Sequence, residues 1–330
     1  MKKVKIYGTL GPACSDTEIL KQMFDEGMDG IRLNLSHTTL DASAALIDAY
    51  HKAACACGVR PELLIDMQGP ELRIGELKEP ILLAAGDALE IDSIPFPKEV
   101  LAIVSDGTTG RQLLLDDGKL LIEVSDSAGC RMLRVLRGGM LESRKSVALP
   151  GFHMHTPAMT DADREQVKEA KQYGVTGLMQ PFVRGSSDLI EVRKALDDSG
   201  CSDIRLFAKI ENMEGVDKLE EIVPHCDEIV IARGDLGNAM DLWELPAVQK
   251  HIAEICCDKG RDFMVVTQML DSMVNRPVPT RAEVSDIFNA VLDGAVSVMV
   301  TGETAAGKHP AAAIRYLART VREAEAFLRR

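Results

Sequence analysis

The stretch Arg205-Leu-Phe-Ala-Lys-Ile-Glu211, followed after a helical pattern by Glu228-Ile-Val-Ile-Ala-Arg233 and then Gly234-Asp-Leu-Gly237, decides the fold. Two consecutive apolar strands each end in polar residues. Side chains alternate along a strand, so Lys209 and Glu211 share a face. Asp235 lies just past the second strand, in a turn opened by Gly234 and Gly237. If the strands are parallel neighbours, the three groups converge. A divalent cation such as Mg²⁺ is usually held by one or two carboxylates and by oxygens of its ligand. Glu211 and Asp235 suit that task and leave Lys209 to face a phosphoryl or enolate oxygen. The plainer alternative is a surface ion pair between Lys209 and Glu211.

Working outward, the same strand-then-helix texture recurs along the chain. Strands are expected at Val4–Leu10, Gly30–Ser36, Glu62–Met67, Thr176–Phe182, Arg205–Glu211, Glu228–Arg233, Asp262–Thr267 and Ser297–Gly302. Short β-branched runs alternating with helical patterns are the mark of βα units. Eight of them predict an α/β chain folded as a (β/α)₈ TIM barrel. After the third strand, Gly69-Pro70 opens a stretch of different texture. Short strands are expected there at Ile81–Leu83, Ala88–Ile91, Arg111–Leu115, Lys119–Val124 and Met132–Leu136, with turns at Asp116-Asp-Gly118 and Arg137-Gly-Gly139. The expected organisation is barrel over 1–69, a small inserted β domain over 70–150, and barrel again over 151–330.

Length and composition agree with that plan. The chain has 330 residues, 46% hydrophobic and 27% charged; such barrels run to roughly 250 residues before insertions. The net charge of −13 leaves no general basic footprint, which argues against nucleic acid or an anionic membrane as partner. No stretch approaches the ~20 apolar residues of a membrane span, and the N-terminus does not read as a signal peptide. Eight cysteines are scattered without paired metal-ligand spacing, as expected of reduced thiols. A cytoplasmic location follows as an expectation.

A barrel carries its site at the C-terminal ends of its strands, and polar residues gather there. Arg32, Asn34 and Ser36 alternate at the end of the second strand and Asp66 ends the third. Lys209 and Glu211 end the fifth, Asp235 follows the sixth, Thr267 ends the seventh, and Thr301 and Glu303 close the eighth. Polar groups on buried strands cost free energy unless they serve a purpose. Phosphoryl transfer needs positioning and charge neutralisation more than covalent help, and Arg32, Lys209 and a divalent metal supply both. Asn34, Ser36 and Asp66 make a second oxygen-rich cluster suited to a monovalent cation. The alternative for Asn34 and Ser36 is ordinary capping of the next helix.

These residues fall in ordered motifs by which the chain resembles the pyruvate kinase family. They include Gly8-Thr-Leu-Gly-Pro-Ala13, Gly30-Ile-Arg-Leu-Asn-Leu-Ser-His37, Asp66-Met-Gln-Gly-Pro-Glu-Leu-Arg73, Ala208-Lys-Ile-Glu-Asn212, Ala232-Arg-Gly-Asp-Leu-Gly237, Thr267-Gln-Met-Leu-Asp-Ser-Met273 and Pro279-Thr-Arg-Ala-Glu-Val-Ser-Asp286. The resemblance implies a (β/α)₈ TIM barrel whose small inserted domain is a β-barrel lid, and a glycolytic phosphotransferase, a kinase turning phosphoenolpyruvate and ADP into pyruvate and ATP with Mg²⁺ (or Mn²⁺) and K⁺. It implies that Lys209, Thr267 and Arg32 are catalytic, with Arg32, Lys209, Gly234, Asp235 and Thr267 binding substrate. Glu211 and Asp235 would hold Mg²⁺. Asn34, Ser36, Asp66 and the Met67 carbonyl would hold K⁺, with Glu71 the acidic residue that accompanies potassium dependence. His37, Arg73 and Asn34 would face the nucleotide. A homo-oligomer built through barrel surfaces is compatible with it.

The chain departs from the family pattern in three places. Met67-Gln68 stands where Thr-Lys is usual, Ala162 where a lysine is usual, and Pro181 where a small hydroxyl residue is usual. All three bear on phosphate contacts and point to a weaker grip on ADP. The family's C-terminal allosteric domain has no counterpart in this sequence, so activation by sugar phosphate there is not expected. Two other readings remain: a Mg²⁺-dependent lyase or decarboxylase working through a pyruvate enolate, and a non-catalytic phosphoenolpyruvate-binding module.

Overall fold

A computed structural model describes residues 2–36, 38–106, 109–116, 118–127, 130–149 and 156–330, with the Ser127 side chain excepted. The chain divides into two compact units. One comprises Met1–Pro70, Thr156–Leu236 and Trp243–Arg330; the other comprises Glu71–His155 and Gly237–Leu242.

The first unit begins with β1 (Lys5–Thr9), β2 (Gly30–Asn34) and β3 (Glu62–Asp66), separated by the helices Thr17–Asp25 and Ala44–Ala56. The second unit contains β4 (Ile81–Leu83), β5 (Ala88–Glu90), β6 (Gln112–Leu115), β7 (Leu120–Ser127), β8 (Cys130–Arg137), β9 (Gly139–Leu141) and β10 (Val147–Ala148). The first unit then resumes with β11 (Gly177–Gln180), β12 (Arg205–Ile210), β13 (Glu228–Ala232), β14 (Asp262–Val266) and β15 (Ser297–Met299). Its eight strands close a barrel in the order β1-β15-β14-β13-β12-β11-β3-β2, all paired in parallel. All eight expected strands are present, shorter than expected by one to three residues at some ends because the rim residues turn into loops.

The barrel interior follows from the two-residue period. Tyr7, Leu64, Met179, Phe207, Val230, Ala232, Met264, Val266 and Met299 form one buried apolar cluster. Stepping by two from these positions reaches polar residues in both directions. Phe207 leads up to Lys209 and down to Arg205; Leu64 leads up to Asp66 and down to Glu62; Val230 leads down to Glu228. The lower residues form a second polar network. Tyr7 Oη donates to Glu62 Oε2 at 2.8 Å, Arg205 Nη2 to Glu228 Oε2 at 2.8 Å, and Ser297 Oγ donates to Glu228 Oε1. Polar residues therefore occupy both ends of the barrel, with an apolar layer between them. The lower end belongs to stability, the upper end to the site.

The second unit has a core of its own, including Val100, Leu113, Ile122, Leu133, Val135 and Leu141. Its strands form a five-stranded antiparallel sheet, β10-β6-β7-β8-β5, and a two-stranded sheet, β4-β9. The Asp116-to-Gly118 turn joins β6 to β7 as expected, with Asp116 and Gly118 at φ of 49° and 77°; Asp117 lies outside the described residues. Arg137-Gly-Gly139 is not a hairpin turn, because β9 leaves β8 to pair with β4. Gly138 is needed at that crossing: a Cβ there would sit 2.2 Å from the Leu83 carbonyl oxygen. The helix Lys98–Ser105 and strands β9 and β10 were not anticipated.

Where the chain returns to the first unit, side chains fasten it. Asp163, 2% exposed, accepts from the backbone N–H of Gln68 and Gly69 at 2.9 Å each, and from Thr160 N at 2.9 Å. Thr160 and Asp163 form the capping box that starts the helix Asp161–Glu169. One carboxylate thus ties the end of the first barrel segment to the start of the second. Gly69 has φ +61°, and a Cβ on it would meet Pro181 Cγ at 2.4 Å. Among the described residues no helix is long and apolar enough to cross a membrane.

Candidate active site

The upper rim holds a buried charge cluster. The Asp66 carboxylate, 2% exposed, receives Arg32 Nε and Nη2 at 2.7 Å each and Lys209 Nζ at 3.1 and 3.2 Å. Lys209 Nζ also reaches Glu211 Oε1 at 2.9 Å. The second oxygen of Glu211 accepts the backbone N–H of Phe182 at 2.9 Å. Strand register explains the meeting: Asn34 pairs with Asp66, Asp66 with Met179, and Phe207–Ile210 with Glu228–Ile231. The Lys209–Glu211 pair is therefore an interior one, with Lys209 13% and Glu211 1% exposed at the side chain, and not a surface ion pair.

The cluster fixes its own protonation. Burial alone would raise the Asp66 carboxyl, but Lys209 and Arg32 outweigh it and hold the group below its ordinary value. Burial works against the Lys209 ammonium, yet Asp66 and Glu211 more than compensate and raise it above the usual lysine range. The site thus keeps two cations at neutral pH. In bulk water such pairs would contribute little, whereas a buried pair is sensitive to removal of either partner.

The next two strands supply the other expected residues. Arg233–Leu236 is a single helical turn directly after β13, carrying Gly234 and Asp235. A Cβ on Gly234 would stand 3.0 Å from Thr267 Cγ2, so the Gly234 backbone backs onto Thr267. Thr267, just past β14, adopts φ +78°, and Gln268 follows at φ +55°. A left-handed backbone is unusual for any non-glycine residue and strained for a β-branched one. Phe182, whose N–H serves Glu211, is also left-handed at φ +52°. Such outliers gather at functional sites.

Asn34 Oδ1 accepts from Ser36 N at 3.2 Å, a local turn; the next helix, Ala44–Ala56, is preceded by Ser43. Neither Asn34 nor Ser36 caps that helix. Met67 is buried with its N–H on the Met179 carbonyl at 3.1 Å. Glu71 and Arg73 belong to the second unit, where Arg73 Nη2 meets Glu71 Oε2 at 2.8 Å and Nη1 donates to the Arg144 carbonyl at 2.9 Å. His37 lies outside the described residues.

Three supports have roles that sequence reasoning did not assign, although Glu303 was already among the polar residues at the strand ends. Arg233 donates from Nη2 to the Thr267 carbonyl oxygen at 2.8 Å. Glu303, 2% exposed, accepts from Leu270 N at 3.0 Å and Thr301 N at 2.7 Å. Asp163 holds the Gln68-Gly69 loop, as described above. Their signal was weak because each acts on backbone, which one sequence does not display.

Among the described residues no group of three or more His, Cys, Asp or Glu side chains could hold a metal by itself. Glu211 and Asp235 nevertheless fit a cation completed by ligand oxygens: both are hard oxygen donors, and each Glu211 oxygen keeps a second lone pair beyond its bond to Lys209 or to the Phe182 N–H. The Asn34 and Asp66 oxygens, on paired positions of β2 and β3, fit a larger cation in the same way.

Comparison with known proteins agrees with this geometry. The family model "Pyruvate kinase, barrel domain" matches residues 1–314. The pyruvate kinase of Bacillus licheniformis is 37% identical over 326 residues, covering 96% of this chain and 56% of that protein. Those of Sporosarcina psychrophila and Geobacillus stearothermophilus are each 36% identical, covering 99% and 95% of this chain but 58% and 55% of their own lengths. The chain spans little more than half the length of these curated relatives. A barrel of this topology, with these motifs on its upper rim, belongs to the pyruvate kinase family.

Proposed function

We propose that the barrel transfers the phosphoryl group of phosphoenolpyruvate to ADP, giving pyruvate and ATP. The observation that carries this reading is the buried Lys209 ammonium, kept charged between Asp66 and Glu211 with Arg32 on the same carboxylate. Arg32 offers a planar fork for phosphoryl oxygens and Lys209 a point charge for the oxygen that passes from ester to enolate. Both neutralise charge that develops in transfer. Glu211 and Asp235 would hold Mg²⁺ or Mn²⁺, which when bound supplies charge neutralisation at the transferring group. Asn34, Ser36, Asp66 and the Met67 carbonyl would hold K⁺. The Gly234 backbone and Thr267 would receive the substrate's carboxylate and methylene, with Thr267 on the face where the enolate takes its proton. His37, Arg73 and Asn34 are proposed for the nucleotide side, where Gln68, Ala162 and Pro181 weaken the grip on ADP.

The test is a coupled assay of pyruvate formation from phosphoenolpyruvate with several nucleoside diphosphates, with K⁺ present or omitted. Turnover that requires a nucleoside diphosphate supports the proposal. Pyruvate formed without one would assign the site to lyase chemistry, and tight phosphoenolpyruvate binding without turnover would assign it to sensing.

A further inference from the structure

We infer that Arg233 is a positioning residue that holds Thr267 in its left-handed backbone through a buried polar brace, and so sets where the Thr267 side chain meets the substrate. The inference rests on the reading of Thr267 given above. Thr267 and Gln268 are consecutive non-glycine residues at positive φ, +78° and +55°. Two strained residues in a row persist only where their surroundings over-determine them. Here the Arg233 guanidinium does so. Its Nη2 donates to the Thr267 carbonyl oxygen at 2.8 Å and lies against the Met269 sulfur. Its Nη1 is fixed by Asp286 at 2.8 Å and by Gln249 Oε1 at 3.4 Å. The arginine side chain is 11% exposed, and Gln249 is buried. Asp286 and Gln249 come from two further helices, Arg281–Leu292 and Leu245–Asp258, so the brace ties the Thr267 turn to the outer layer of the barrel.

From the other side, Glu303 accepts the Leu270 N–H at 3.0 Å. The segment from Thr267 to Leu270 is therefore clamped at both ends. Gly234, the neighbour of Arg233, leaves room for Thr267 that a Cβ would crowd at 3.0 Å. Arginine is suited to this post because its rigid fork can serve a carbonyl and a carboxylate in fixed directions at once. Lysine can reach one of them, and methionine neither.

The experiment compares Arg233→Met, Arg233→Lys and Asp286→Asn with the parent chain. Three quantities are measured: kcat with phosphoenolpyruvate and ADP, exchange of pyruvate methyl protons into D₂O followed by NMR, and Mn²⁺ binding by electron paramagnetic resonance. A misplacement near 1 Å at a reacting centre can cost about 10²-fold. Arg233→Met is expected to lower kcat and proton exchange together by about that factor, with Mn²⁺ affinity held within about twofold and Arg233→Lys recovering about tenfold of the loss. A crystal structure of Arg233→Met is expected to show Thr267 out of the positive-φ region. Should Arg233→Met fail to fold, Asp286→Asn carries the same test with a smaller loss. Full kcat in the folded variant, or Thr267 unchanged at positive φ, would overturn the inference. If the parent chain itself forms no pyruvate, the kinase reading falls and the brace stands or falls on the Thr267 backbone alone.

Discussion

Lys209 Nζ stands 3.1 Å from Asp66 Oδ2, an ion pair made inside the barrel between strands far apart in sequence. Because both partners are buried, neither charge has water to fall back on, and the consequences of cutting the pair follow directly.

Lys209→Met is expected to abolish phosphoryl transfer, a loss of at least about 10²-fold for removal of one oxyanion-stabilising group. It leaves Asp66 on Arg32 and Glu211 on the Phe182 N–H. Metal binding should therefore survive, as a Mn²⁺ titration by electron paramagnetic resonance would reveal. Full activity in the variant would refute the role given to Lys209.

Asp66→Asn removes the anion shared by two buried cations. Breaking a buried pair costs roughly 3–5 kcal/mol, so a stability loss of about 3 kcal/mol is expected. The Asp66 carboxyl titrates below its ordinary value of 3.8 because Lys209 and Arg32 overcome the effect of burial. A depressed acid stabilises the fold above its unfolded pKa and loses that contribution as pH falls through its folded pKa. Urea midpoints of parent and variant should thus stay separated near neutrality and converge on acidification below about pH 4. A gap that does not narrow would contradict this account.

Glu228 behaves in the opposite sense. Burial raises its carboxyl above the ordinary 4.5, Ser297 and Arg205 oppose the rise without cancelling it, and Asp262 adds to it. An acid with a raised folded pKa contributes stability that is complete below its unfolded value and is lost as pH rises through the folded one. Glu228→Gln, which keeps an acceptor for Ser297, should remove that slope. Thermal melting temperatures of parent and variant, scanned upward from about pH 4.5, should show the parent losing ground relative to the variant. Parallel curves would count against it.

Asp163→Ala would orphan three backbone N–H groups, those of Gln68, Gly69 and Thr160. Only the Gly69 donor is fully buried, Gln68 and Thr160 being half-buried, and an unsatisfied buried donor costs about 1–3 kcal/mol, so a loss of about 1–3 kcal/mol is expected. Hydrogen exchange should localise it: the Gln68 and Gly69 amides lose protection first. Equal loss across the barrel strands would instead mean a global effect.

The barrel was legible because eight short apolar runs each had to be buried and all but the third, which opens the inserted stretch, were followed directly by a helical pattern. The rim residues Arg32, Asp66, Lys209 and Glu211 were legible because polar side chains at every second position of such runs need a reason. The lower network was not foreseen: Glu62, Arg205 and Glu228 only open their expected strands, and Glu228 is 1% exposed. Burial at the beginning of a strand depends on barrel closure, which no local window contains. In the same way Arg233, expected only as the last residue of the sixth strand, gave no sign of its role, since its partners Thr267 and Asp286 are brought to it only by neighbouring strands and helices. In the second unit, β9 was lost because three residues pairing with a distant edge leave almost no periodic signal.

The long detour between β3 and β11 has a meaning for how the molecule is made. These strands are hydrogen-bonded neighbours, Met179 beside Asp66, although the whole inserted stretch separates them along the chain. Loop closure grows only logarithmically with length, each doubling costing about 0.6 kcal/mol, so the finished barrel is little weakened. The rate of assembly is another matter, because non-local pairing slows folding. The barrel is in effect two arcs, one of three strands and one of five, each zipped from sequence neighbours. Its last seams are β3 against β11 and β1 against β15, and any intermediate that accumulates should be an open pair of arcs exposing the apolar layer around Phe207.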